Sequence, residues 1–586
     1  MIPGDPLANV LYVDLSRRSY RVERREDLFA DDIGGAGVGI RLLDENCPTG
    51  ADPLGLDNPI VLTVGALTGL FPLASKTVAM FKSPHTGNLG ESHGGGRSAV
   101  AIRSAGLGAI VITGASSSPV WVAVHGQDVF FRDANTVWGM SSLFTVGRVI
   151  RDNEPGAGVR SIMCIGRAGE EMVPYACVTA ETYRHFGRLG LGAVFGSKKL
   201  KALVVSGTEV IPIADPKAYK RTYKELFAAT QSDVMRKYHD LGTAENITPL
   251  NAIGGLPTRN LLSGRMPDTE RISGEGLAAN YLGRRLACAH CPVGCIHIAA
   301  LREPYSDDPY FYKTRMISYD YEPIFSLGTL LGINDPESYL RLMQTVEALG
   351  LDCMSAGVVL AWATEAMERG LITENDTDGV QLVWGEDAPY RAMVRGIVDG
   401  KNDFYLALRR GVAFAAQRYG GEDFALSFAG HEMAGYHTGP AAHLGFLFGA
   451  RHSHCDNAGY SLDQAALKSG ATVPLEEMAK PLVAEERWRQ VLSSLVVCFF
   501  ARGIYKPEQT CAALASAGFD VAPADLDALG RRVYRAKYDF KLREGFDPAA
   551  VAYPDRIFAT QSAAGLIDRD EFARAVSVMH AEVLAD

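Results

Sequence analysis

The sequence predicts an α+β protein in which a β-rich amino-terminal base is followed by two mainly α-helical domains. Three observations carry this. Short runs of β-branched and aromatic residues, separated by glycine-rich turns, fill the first 210 or so positions. Beyond Pro212 the apolar residues recur three and four apart, which is the helical period. At 586 residues the chain is too long for one ordinary core, so it requires several domains or a large shared cavity.

Strands are expected at Val10 to Asp14, Ile60 to Val64, Ala109 to Thr113 and Val120 to Val124, and helices where apolar spacing holds at Tyr219 to Phe227, Tyr339 to Leu349 and Val358 to Met367. With boundaries near 210 and 425, the expected domains are 1–210, 211–425 and 426–586. No internal repeat and no low-complexity linker interrupts them, so the helical regions should pack as one body. The stretch Gly35-Ala36-Gly37-Val38-Gly39 lacks both the spacing and the following acid of a dinucleotide-binding turn and is read as structural.

A hydrophobic content of 47% with 22% charged residues describes a folded globular chain. The net charge of −10 argues against broad nucleic-acid binding, which needs a track of Lys and Arg. No run approaches the roughly 20 apolar residues of a membrane span, and Met1 to Pro6 does not open a secretory signal. The expected location is the cytoplasm, away from membrane and nucleic acid. There the ten cysteines should be free thiols or metal ligands, not disulfides.

Their spacing is therefore the informative feature. Cys288-Ala289-His290-Cys291-Pro292-Val293-Gly294-Cys295 is a CxxCxxxC loop in which Pro292 and Gly294 help the backbone turn. Three thiolates from such a loop can converge on one centre. An iron–sulfur cube needs a fourth, for which Cys498, far away in the chain, is the candidate. A closed Cys₃His zinc site using His290 is the competing reading. Radical-SAM enzymes order the spacing the other way, and DMSO-reductase-type enzymes carry a comparable loop near the amino terminus.

Read with the cysteine loop, several segments resemble the aldehyde:ferredoxin oxidoreductase family in order and spacing. They are Gly65 to Gly69, Lys82 to Gly87, Gly187 to Lys198, Tyr319 to Gly328, Leu331 to Asp335 and Gly350 to Gly357. The likeness covers nearly the whole chain. It implies a β base cradling two pterins, helical domains closing over them, and tungsten or molybdenum held by four dithiolene sulfurs. It also implies one [4Fe-4S] cluster on Cys288, Cys291, Cys295 and Cys498, and a magnesium ion bridging the pterin phosphates.

The same resemblance assigns residues. Lys76, Gly94, Gly95, Gly96 and Arg188 match phosphate- or pterin-contacting positions, with Lys76 where arginine is usual and His93 where asparagine is common. Taken alone, those glycines would be read as turns and those cations as solvated. The paired pterin signatures, Asp-x-x-Gly-Leu-(Asp or Cys), read here Glu347-Ala348-Leu349-Gly350-Leu351-Asp352 and Ser493-Ser494-Leu495-Val496-Val497-Cys498. The first keeps an acid one methylene longer. The second has lost the acid and the Gly-Leu pair while keeping Cys498, so Ser493 is the weaker pterin candidate.

Glu322 matches a carboxylate beside the metal, where burial would raise its pKa and fit it for proton exchange. The family's catalytic histidine falls in Arg451-His452-Ser453-His454-Cys455-Asp456-Asn457, where Cys455 takes the usual histidine position. His454 is the first candidate, ahead of His452 and Cys455. The implied reaction is oxidation of an aldehyde in a largely apolar pocket, with electrons passing through the cluster to ferredoxin or an electron-transfer subunit, in a homodimeric assembly. The alternatives are a low-potential reductase subunit of the aromatic acyl-CoA type and a zinc-stapled binding protein without catalysis.

Overall fold

The computed structural model describes residues 1–470 and 473–585. Its amino-terminal base consists of two six-stranded sheets. The first comprises β1 (Asn9–Asp14), β2 (Ser19–Arg24), β3 (Ile60–Thr63), β4 (Thr77–Lys82), β5 (Leu89–Gly94) and β6 (Ala109–Thr113), in the order β2-β1-β6-β3-β4-β5. The second comprises β7 (Val120–His125), β8 (Asp128–Asp133), β9 (Val159–Ile165), β10 (Val178–Ala180), β11 (Arg184–Phe186) and β12 (Leu200–Gly207), in the order β11-β10-β9-β12-β7-β8. Only β1 with β6 and β12 with β7 run parallel.

β5 and β11 are edge strands of their respective sheets, and they meet. A Cβ built on Gly94 would lie 2.5 Å from the Phe186 ring, so only glycine lets the two edges approach this closely. The contact brings the Gly94-Gly95-Gly96 turn beside Arg184.

Beyond the base the chain is mainly helical, as its period predicts, with Pro216–Thr230, Pro336–Leu349 and Cys353–Glu368 among the helices. One departure is a three-stranded sheet of β13 (Leu282–Leu286), β14 (Ile296–Pro304) and β15 (Tyr312–Tyr319), where helix was expected. The cysteine loop is the turn between β13 and β14. A strand pair fixes both ends of such a loop through ladder hydrogen bonds and leaves its middle to follow a ligand.

Most of the helices share one large apolar core, to which the base contributes Ala168, Val173, Tyr175 and Ala176. The carboxy-terminal region also returns to the base: Val491, Leu492, Leu495, Val496, Val497 and Leu526 belong to the core of the sheets. The glycine stretch at 35–39, within the helix Gly35–Asn46, makes this return possible. A Cβ on Gly35 would lie 2.1 Å from the Ser493 carbonyl oxygen. The bland reading of that stretch is therefore the physical one. No helix among the described residues is long and apolar enough to cross a membrane.

Candidate functional site

The strip Leu73 to Lys76 acts as a template for two segments from distant parts of the chain. The Leu73 N–H donates to the His290 carbonyl at 3.2 Å, and the Cys498 N–H donates to the Leu73 carbonyl at 2.9 Å. Ala74 bridges Val497, and the Lys76 N–H reaches the Val496 carbonyl at 3.2 Å. On the other side the Ala289 N–H donates to Gly96 O at 2.9 Å. The loop turns through two left-handed residues, His290 (φ 57°) and Gly294 (φ 66°); only the second takes that conformation without cost.

This arrangement puts Cys288, Cys291, Cys295 and Cys498 on the wall of one cavity. The Gly96 N–H donates to Cys288 Sγ at 3.2 Å. A Cβ on Gly95 would lie 2.9 Å from Cys288 Sγ and 3.3 Å from both Arg184 Nε and Lys76 Nζ, so this turn tolerates no side chain. Burial and the neighbouring thiols push Cys291 up to about 11 and Cys295 up to about 12, with Arg184 pulling Cys295 back. Four thiolates here would need a positive centre among them. Among the described residues no group of three His, Cys, Asp or Glu side chains is spaced to hold a single metal ion; the four thiols share one cavity wall.

The cavity has a volume of about 280 Å³. A second, of about 210 Å³, adjoins it. The two share Arg184, Cys295, Asp320 and Glu322. Lys76, His93, Glu322, His454 and Cys455 line the first, and Arg188, Glu347, Leu351 and Asp352 line the second.

Glu322 stands where the two meet, in the first turn of the Tyr321–Leu327 helix. Its Oε2 accepts from the Gly435 N–H at 3.2 Å, and its Oε1 lies 3.4 Å from His454 Nδ1. Burial raises its pKa, the charge of His454 and the Gly435 N–H recover part of the shift, and the carboxyl rests at about 7. Burial likewise lowers His454. His454 opens a short helical turn whose cap, Ser453, donates its N–H to Asp456, and Asp456 also binds Arg451 Nε at 2.6 Å. Cys455 Sγ is 3.2 Å from His454 Nε2.

His452, the other histidine candidate, lines neither cavity. Its Nδ1 is 3.1 Å from the carbonyls of Phe446 and Leu447, its Nε2 is 3.1 Å from Lys541 Nζ, and burial drives its pKa down to about 3. Such a ring is a structural hydrogen-bonding group. Ser493 also lines neither cavity, and its carbonyl oxygen faces Gly35. Gly350 lines neither cavity; with φ 79° it caps the Pro336–Leu349 helix. The Asp352 carboxylate is engaged by the Met354 and Ser355 N–H groups, the Ser355 hydroxyl and Arg188 Nε.

Five polar atoms around the second cavity are buried without a hydrogen-bond partner: Arg184 Nε, Arg188 Nη1, Tyr319 OH, Glu322 Oε1 and Glu347 Oε2. Each unsatisfied buried group costs about 1–3 kcal/mol, and more if charged, so together they call for a bound partner with several donors and acceptors. Glu347, raised to about 8 by burial, can serve such a partner as donor or acceptor. The donor set fits a polar heterocycle bearing anionic groups.

The lining of the first cavity is mostly apolar, and it also carries tyrosines and charged groups. Tyr321, Tyr436 and Tyr460 wall it, the last two stacked 4.2 Å apart. Lys76, Arg184, Arg451, Arg489 and Arg502 also line it, against the acids Asp320 and Glu322. Sequence reasoning missed Arg184, Tyr436, Tyr460, Arg489 and Arg502, which carry no spacing signal. Asp320 lies inside the quoted Tyr319 to Gly328 segment and was available there.

Family models place the chain among known proteins. "Aldehyde ferredoxin oxidoreductase, N-terminal domain" matches residues 10–207, and "Aldehyde ferredoxin oxidoreductase, domains 2 & 3" matches residues 218–582. The tungsten-containing aldehyde ferredoxin oxidoreductase of Thermococcus kodakarensis is 31% identical over 554 residues, covering 92% of this chain and 89% of that protein. The WOR-like subunit of an aliphatic sulfonate oxidoreductase from Pyrococcus furiosus is 32% identical over 416 residues, covering 67% of this chain and 64% of that one. Among solved structures, the active site complex BamBC of benzoyl coenzyme A reductase with 1,5-dienoyl-CoA has a TM-score of 0.82 at 19% identity, covering 98% of this chain and 94% of that chain. At that identity the likeness is one of fold.

Proposed function

The chain belongs to the aldehyde ferredoxin oxidoreductase family, and from that premise we propose that it oxidises an aldehyde to a carboxylic acid at a tungsten bis-pterin centre. Per turnover, one aldehyde and one water become one acid, two protons and two electrons. A bound tungsten-pterin would supply the two-electron acceptor, and Cys288, Cys291, Cys295 and Cys498 would hold an iron–sulfur cluster able to relay the electrons singly to ferredoxin or a partner subunit.

The observation that carries this reading is the position of Glu322 and His454, paired at 3.4 Å where two cavities with unsatisfied polar walls meet beside the thiol ring. Glu322, poised at about 7, takes the proton of the attacking water, because a base with a pKa near the working pH combines sufficient population with driving force. His454 holds the carboxylate at its Oε1 face, and the Gly435 N–H holds the other oxygen. The tyrosine wall excludes bulk water and orients the carbonyl. Arg188, Glu347 and the Gly94-Gly95-Gly96 turn would hold the pterins, and Arg184 would stand between the pterins and the thiols.

The family in the T. kodakarensis case uses tungsten by name, which favours tungsten over molybdenum here. Against a Cys₃His zinc staple, the cavity wall that carries the three loop thiols carries Cys498 and not His290. Anoxic purification with tungsten, iron and pterin analysis, followed by aldehyde-dependent viologen reduction, tests the proposal. Stoichiometric zinc without tungsten or pterin would sink it.

A further inference from the structure

The cations of the first cavity fall into two sets. Lys76 and Arg184 flank the Gly95 turn beside Cys288. Arg489 is tied instead to the acid–base pair: its Nη1 donates at 2.7 Å to the carbonyl of Cys455, the neighbour of His454. Its Nε is held by Glu485 at 2.7 Å, and the Phe499 ring, 5.2 Å from Cζ, backs the guanidinium. The Arg489 side chain is 3% exposed, and its Nη2, buried in the cavity wall, has no partner. Arg502 lines the same cavity, anchored through the Phe499 carbonyl at 2.9 Å.

A guanidinium immobilised on two sides with its third nitrogen unspent is pre-organised for an anion, since little further freedom is lost on binding. Its place beside His454 makes the substrate the natural source of that anion. We propose that the aldehyde carries a carboxylate or sulfonate at its far end and that Arg489, assisted by Arg502, binds it, so that the carbonyl is delivered to Glu322 with the chain along the Tyr436–Tyr460 stack. This rests on aldehyde oxidation being the reaction. Arg489 is thus a substrate-binding residue that sets specificity by charge.

The test uses the holoenzyme with succinic semialdehyde and its neutral counterpart butyraldehyde, in wild type, Arg489→Met and Arg489→Lys. Wild type is expected to favour the anionic aldehyde in kcat/KM by about 10–100-fold, the range of a hydrogen bond to a charged group. Arg489→Met should lose that preference by raising KM for the anionic aldehyde far more than for butyraldehyde, with the tungsten and iron contents unchanged. Arg489→Lys should regain part of it and serves alone if the methionine variant does not fold. Calorimetry with succinate should show binding to wild type that Arg489→Met abolishes. Equal preference in wild type, an equal loss on both aldehydes, or a fall in tungsten content, which would make Arg489 a cofactor ligand, each overturns the proposal. If wild type oxidises no aldehyde while succinate still binds through Arg489, the reading of the reaction fails and the anion site stands.

Discussion

His454 Nδ1 stands 3.4 Å from Glu322 Oε1, so two groups that burial drives toward neutrality face each other at the junction of the two cavities. A buried neutral acid beside a buried neutral base can exchange one proton at little cost, and this sets the first expectation. Activity should rise with pH through about 7, as Glu322 loses its proton and becomes competent to accept one. Glu322→Gln should lower kcat by about 10²–10⁴-fold and abolish that acid limb while leaving metal content intact. Retention of the limb in the variant would assign it to another group.

Cys498 is bound to Leu73 through its backbone N–H, not its side chain. Cys498→Ala should therefore keep the fold, as far-ultraviolet circular dichroism would report, and lose most of the iron and the visible charge-transfer absorbance. Full iron retention would exclude Cys498 as a ligand.

Gly95→Ala places a methyl 2.9 Å from Cys288 Sγ, between Arg184 and Lys76. Overpacking of this kind costs about 1–3 kcal/mol, and here the group that must yield is a thiol of the ring. Iron content and melting temperature should fall together. An unchanged iron-to-protein ratio would show that the thiol can move freely.

Glu432 joins parts of the chain that are far apart in sequence, accepting from His85 at 2.7 Å, Ser355 at 2.8 Å and the Val412 N–H at 3.0 Å. Burial alone would raise its pKa. The charge and hydrogen bond of His85, with Val412 and Arg188, more than offset this and hold it at about 2. Its folded value lies below the unfolded one, so its stabilisation of about 3 kcal/mol is present at neutral pH and is lost as pH falls from about 4.5 toward 2. Glu432→Gln should lower the melting temperature at pH 7 and approach wild type as the medium acidifies; a difference independent of pH would refute the linkage.

The base and the helices were legible because their apolar periods are local properties of sequence. The β13–β15 sheet was not: β14 runs through Ile296, Ile298 and Leu301, but with Arg302 and Glu303 at its end the alternation is short, and its pairing with β15 is a tertiary choice. At the site, the cysteine spacing marked the loop in advance. The separation of His452 from His454 could not be read from their positions two residues apart, because it depends on Lys541 and on carbonyls at 446 and 447. Arg489 gave no signal, since one arginine in a helix is most often a solvated one and only the structure shows where its third nitrogen points.

The strip at Leu73 has a further consequence, one of timing. It lies in the first part of the chain to leave the ribosome, the cysteine loop emerges midway, and Cys498 comes near the end. Until that last segment folds back beside Ala74, the wall of thiols lacks its fourth member. The four thiols can therefore share one wall only once the segment carrying Cys498 has folded back, which makes their assembly a product of the tertiary fold and not of the local loop.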